Sequence, residues 1–117
     1  MQLTEITFSG ATPIDGYGPG FFRVAGEVVE GPILVTIEWA RNWGGYDDSA
    51  ALLNLLEDVD VIFIGTGDET AHIPAGLRHT LEDAGIGLEV MSSPAACRTY
   101  NVLLSEGRRV AVAALPI

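Results

Sequence analysis

The stretch that most constrains this chain is Val59–Gly67, which reads V-D-V-I-F-I-G-T-G. Val61–Ile64 is an unbroken apolar run, stopped at once by Gly65-Thr66-Gly67. An apolar run of that length with no polar alternation fits a strand covered on both faces, the central strand of a parallel sheet. In open α/β sheets, ligands collect outside the carboxyl ends of such strands, so the glycine loop is where sequence reasoning first looks for a site.

The segments on either side supply the rest of an α/β fold. Residues 3–9 alternate weakly and are expected to form a first strand; Pro13–Gly20 is read as a glycine- and proline-rich connection holding Tyr17. Phe22, Val24 and Val28 alternate with Arg23 and Glu27, the period of a half-exposed strand. After the turn at Glu30-Gly31-Pro32, Ile33, Val35, Ile37 and Trp39 fall on one face of a second strand, with Thr36 and Glu38 on the other. The first 40 residues therefore read as a β-meander or hairpin with one wet face. From Arg41 the period changes. Trp43 and Tyr46 sit in a loop that reads as exposed, and Asp47-Asp48-Ser49 opens a helix whose buried stripe is Leu52, Leu55 and Leu56. Beyond the central strand, Pro74 suits the first turn of a second helix, with Leu77 and Leu81 inward and Gly85 at its C′ position. Ile86, Leu88 and Val90 give another strand. Ser93-Pro94 reads as the N-cap and first position of a third helix, which ends at Gly107 before a final strand over 109–115. The fold class is α/β: one domain over residues 1–117, with a mixed central sheet, helices on its faces and right-handed crossovers after residue 59.

Charge narrows the function classes. The chain carries 16 acids, six arginines and no lysine, for a net charge of −10. Nucleic acid is not an expected partner, because Arg and Lys contacts to phosphate supply most nonspecific affinity for it. The imbalance is uneven: residues 98–117 hold three arginines and only one acid, Glu106. No apolar run approaches the ~20 residues needed to span a bilayer. The N-terminus has no basic, apolar or arginine-rich targeting pattern, and the single cysteine forms no internal disulfide, so the expected compartment is the cytoplasm.

No complete catalytic constellation is present. Gly65-Thr66-Gly67 resembles an anion-cradling loop, but it lacks the third glycine of a dinucleotide fingerprint, and Asp68 and Glu69 follow it directly. Thr66 is expected at most to face a shallow site. On the third helix, Arg98, Asn101 and Ser105 share one face, Cys97 and Asn101 are one turn apart, and Ala96, Tyr100 and Leu103 look inward. Cys97, beside Arg98 near the helix N-terminus, is a candidate reactive thiol, although free cysteine is usually a small buried hydrophobe. His72 and His79 are not spaced as a metal pair, so no metal or cofactor is expected. Arg108 and Arg109 either cap a helix end or offer positive charge to a partner.

These residues carry a family resemblance. G-T-G at 65–67, V-M-S-S-P-A-A-C-R-T-Y-N-V-L at 90–103, E-G-R-R-V at 106–110 and I-D-x-Y-G-x-G-x-F from Ile14 resemble the MTH-nine-three-eight-like domain family over essentially the whole chain. The resemblance implies a three-layer α/β fold with a mixed central sheet and an N-terminal β-hairpin extension. That family has no established enzymatic activity. Its mitochondrial members bind other proteins during the building of NADH:ubiquinone oxidoreductase, so the implied partners are respiratory-complex subunits or assembly proteins. Without a presequence, this chain reads as a bacterial, cytoplasmic relative. Two readings follow. One is a non-enzymatic assembly-type protein presenting Arg108 and Arg109. The alternative is a small-molecule binder or enzyme using a crevice formed by Gly65, Thr66, Gly67, Cys97, Arg98 and Asn101.

Overall fold

The structure, a computed structural model, describes residues 5–7 and 13–117. Within them the elements run β1 (Glu5–Thr7), β2 (Ile14–Gly18), β3 (Phe21–Val24), β4 (Glu27–Glu30), β5 (Ile33–Val35) and β6 (Trp39–Asn42). A 3-10 turn at Gly45–Asp47 leads to α1 (Ser49–Leu53), β7 (Val61–Gly65), α2 (Ala75–Asp83), β8 (Gly87–Met91), α3 (Ser93–Ser105) and β9 (Val110–Ala114). Of the strand expected at 3–9, residues 5–7 are β1, and the rest lies outside the described residues.

The strands form a mixed six-stranded sheet in the order β1-β6-β5-β9-β7-β8, and a three-stranded antiparallel meander, β2-β3-β4. β7 is central to the parallel part, paired with β8 on one side and β9 on the other. β5 runs antiparallel to both β9 and β6. The two faces bury separate cores. Ile62 and Ile64 point toward α1 and α2, where Leu52, Leu55, Leu77 and Leu81 meet Trp43. Phe63 points the other way, into a core shared by Ala96, Tyr100 and Leu104 of α3 with Phe22, Val24 and Val29 of the meander. The result is three layers: two helices, the sheet, and α3 beside the meander.

Several local expectations are corrected. Residues 14–18 are a strand, not a connection. Val28 is 52% exposed whereas Val29 is buried, because the chain turns back between them and Val24. Ala25 and Gly26 both take positive φ, 53° and 79°, as the two-residue type I′ hairpin turn requires. A single alternation therefore does not run across 22–28. Likewise residues 33–39 are two strands: Thr36 Oγ1 accepts from the Glu38 and Trp39 amides at 3.2 and 3.3 Å, reversing the chain and leaving Ile37 exposed. Trp43 is buried, its indole N–H donating to the Asp48 carbonyl at 3.2 Å. Leu56 follows the end of α1 and is exposed; Leu104, with Leu103 only partly covered, completes the inner stripe of α3.

Candidate functional site

β7 is followed by α2 on one face, and β8 by α3 on the other, so their carboxyl-end loops diverge. That is the topological switch point at which α/β sheets usually open a crevice. Here hydrogen bonds close it. The Thr66 amide donates to the Met91 carbonyl at 2.9 Å, and the Ser93 amide to the Gly67 carbonyl at 2.8 Å. Ser93, fully buried, accepts from the Gly67 amide at 2.9 Å and donates to the Leu115 carbonyl at 2.6 Å. A Cβ on Gly65 would lie 2.7 Å from Ser93 Oγ and 2.8 Å from its Cα, which is why this strand end must be glycine. Gly67 has φ +101°, conformational space that glycine occupies without strain. The N-cap of α3 is thus Ser92, whose hydroxyl accepts from the Ala95 amide, while Ser93 sits one residue inside as the bolt of the switch point. Sequence reasoning placed the cap on Ser93 and missed this role; a Ser-Ser pair before proline carries no signal telling them apart.

The other candidate residues are distributed around this closed end. Thr66 Oγ1 lies 2.6 Å from the Glu69 carbonyl and 3.2 Å from that of Met91, and accepts from the Ala71 amide at 3.1 Å. Its hydroxyl is engaged by its own loop. Cys97 is buried beneath α3, where desolvation pushes its thiol up to about 12, with the Arg98 charge pulling weakly the other way. Such a thiol stays protonated at neutral pH and is a poor nucleophile. Asn101 clamps the meander to α3: its Oδ1 accepts from the Ile14 amide at 2.9 Å, and its Nδ2 donates to the Ile14 carbonyl at 3.1 Å. Arg98 stands exposed on the outer side of the same helix. The six residues are therefore not gathered around one cavity.

Arg109 donates from Nε and Nη2 to the carbonyls of Asp58 and Glu57, capping the segment that leaves α1. Arg108 is exposed, and its amide donates to the Leu103 carbonyl at 3.0 Å. Among the described residues, no group of three or more His, Cys, Asp or Glu side chains is placed to hold a metal ion. No helix there is long and apolar enough to cross a membrane.

Among the described residues, two open depressions stand out, one beside α2 and β8 and one along α3. A cavity of about 320 Å³ lies on the α2 side, lined by Thr70, Ala71, His72, Arg78 and Val90. A shallower, mostly apolar groove of about 430 Å³ lies along α3, lined by Arg98, Thr99, Val102 and Leu103. Neither was visible in the sequence, since each is assembled from residues that are unremarkable in isolation.

Residues 14–115 match the family model described as "Protein of unknown function (DUF498/DUF598)". The chain belongs to that family. Over its full length it is 54% identical to an uncharacterised protein of Rhodobacter capsulatus, covering 94% of that protein. It is 37% identical to NADH dehydrogenase [ubiquinone] 1 alpha subcomplex assembly factor 3 of Danio rerio, across 99% of this chain and 71% of the relative. Among solved structures, a protein from Bartonella henselae, described as an outer membrane protein, superposes with a TM-score of 0.82 at 36% identity, covering 93% of this chain and 98% of that one. A Bordetella pertussis structure described as a Mth938-like domain superposes at TM-score 0.74 with 24% identity, over 99% and 92% of the two chains, which supports the three-layer fold.

Proposed function

We propose that this DUF498/DUF598 protein is a non-enzymatic, protein-binding assembly factor that acts from the cytoplasm in the biogenesis of NADH:ubiquinone oxidoreductase. The observation that carries the reading is the alignment with assembly factor 3, which runs through 99% of this chain and 71% of the relative. The site geometry agrees with it. The crevice an α/β enzyme would use is closed by Ser93 and Thr66, and Cys97 is held as a buried thiol. Arg108 would contribute charge to the partner surface; Arg109 is already engaged by the Glu57 and Asp58 carbonyls, so its part there would be to hold that corner in shape.

The test is affinity capture of the tagged chain from lysate and solubilised membranes, with mass spectrometry of what is retained. Enrichment of oxidoreductase subunits or their assembly proteins, reduced by Arg108→Glu, supports the reading. Retention of a metabolite that raises the melting temperature, with no such subunits, would replace it with a ligand-binding function.

A further inference from the structure

β8 is the outermost strand of the six-stranded sheet and, among the described residues, pairs only with β7. The direction of its main chain follows from two bonds. The Gly87 amide donates to the Asp60 carbonyl, and the Met91 carbonyl accepts from the Thr66 amide. In a parallel ladder alternate residues address the same neighbour, so Gly87, Glu89 and Met91 face β7. The amide and carbonyl groups of Leu88 and Val90 then point away from the sheet. Exposed edges are templates for a further strand, and proteins that keep them dry cover them or make them very short. This one is five residues long, and the α2-side cavity opens beside it. Val90 lines the α2-side cavity, and Met91 touches α3 through Thr99 Oγ1, 3.6 Å from its sulfur, beside the α3 groove.

We infer that the β8 edge receives an extended segment of a partner protein that alternates acidic and apolar side chains. A strand added there sends successive side chains to opposite faces. On the α3 face, where β8 itself presents the exposed Glu89, the groove along the helix offers Val102, 55% exposed, Leu103 and the aliphatic stem of Arg98. On the α2 face the added side chains meet Thr70, His72 and Arg78, all hydrogen-bond donors, and Arg78 holds an exposed ion pair with Glu82 at 3.3 Å. Arg78 thus shares the α2-side cavity with Val90 of β8 and is the cation an acidic side chain of the added strand would meet there. A second copy fits this edge poorly. Antiparallel self-pairing with Leu88 opposite Val90 sets Glu89 against its own counterpart, a destabilising like-charge pair, between two bodies that each carry −10. This inference rests on the protein-binding reading and specifies its partner.

The test uses a fluorescent seven-residue peptide, Glu-Val-Asp-Leu-Glu-Val-Asp, titrated into the full chain by polarisation, with amide hydrogen exchange read by NMR. The peptide is expected to slow exchange at the Leu88 and Val90 amides, and N-methylation of its alternate amides on one edge, but not on the other, should abolish binding. Arg78→Glu and Val102→Glu, both surface changes, should each weaken it about tenfold, the scale of one charge-assisted or well-buried contact. Equal or tighter binding of a lysine-for-acid version, or unchanged exchange at Leu88 and Val90 with millimolar peptide, overturns the proposal. So does a peptide-independent dimer in sedimentation that protects the same two amides. If the Arg78→Glu, Val102→Glu double variant supports oxidoreductase assembly as well as the unaltered chain, the edge assignment fails while the assembly role stands. If the peptide binds as expected but deletion of the gene leaves assembly intact, the assembly role fails and the edge stands.

Discussion

Replacing Ser93 with alanine tests the closure of the switch point. The side chain is fully buried, and its hydroxyl serves two main-chain groups at once: it accepts from the Gly67 amide at 2.9 Å and donates to the Leu115 carbonyl at 2.6 Å. Alanine removes both bonds and leaves a donor and an acceptor without their partner. An unsatisfied buried polar group costs about 1–3 kcal/mol, so the pair should cost roughly 2–4 kcal/mol, the lower half if a water enters. A domain of 117 residues shifts its Tm by roughly 4 °C per kcal/mol, so the expected fall is about 8–16 °C. Urea unfolding at constant m-value gives the free energy, and a thermal scan gives the midpoint. Ser92→Ala is the internal control. It removes only the N-cap bond to the Ala95 amide, 3.4 Å long, and should cost about 1 kcal/mol. A Ser93→Ala loss below about 0.5 kcal/mol, or a larger loss from Ser92→Ala, would refute the assignment of Ser93 as the residue that locks β7, α3 and the end of β9 together.

Three further outcomes are expected. Asn101→Ala should cost about 1–3 kcal/mol and speed amide exchange at Ile14 first, because both of its bonds hold the meander's first strand to α3; loss spread evenly over the sheet would contradict that. Tyr100→Phe should leave stability unchanged or raise it, since the Tyr100 hydroxyl is buried with no hydrogen-bond partner among the described residues and burial raises its pKa; a clear loss would reveal a partner for that oxygen. The Cys97 thiol is raised from 9.0 to about 12 by burial, so above about pH 9 the unfolded chain releases a proton that the native state keeps. Its stabilising contribution is full below that pH and falls by about 1.4 kcal/mol per pH unit on the way up. Cys97→Ala should flatten that part of the stability–pH curve, and the native thiol should react slowly with alkylating reagents at pH 8.

The helices and the central strand were readable because their signals are local. Asp48 caps α1 through the Ala51 amide, Gly85 follows α2 at φ +90°, and Gly107 follows α3 at φ +77°. The apolar run of β7 is covered on both faces, as its composition implies. The front of the chain was harder. The hairpin turn at Ala25-Gly26 has alanine where asparagine or glycine would announce it, and the reversal at Thr36 is made by one hydroxyl, so two hairpins read as two single strands. The roles of the polar residues singled out for a site were not legible. Thr66, Asn101 and Arg109 are polar residues at positions that look like ligand contacts, yet their atoms bond to the backbone of distant segments, 25, 87 and 51 residues away for the Met91, Ile14 and Asp58 partners. Sequence spacing carries no record of such pairings. The open edge of β8 was hidden for the same reason: a strand's last neighbour depends on sheet order.

The account stands most directly on a deletion of the gene in the source organism, with NADH:ubiquinone oxidoreductase resolved on native gels and its activity stained in the same lanes. An assembly factor predicts loss of the complete complex with accumulation of partial assemblies, restored by the unaltered chain and not by a variant that cannot hold its partner. A complete, active complex in the deletion strain at normal abundance would contradict it.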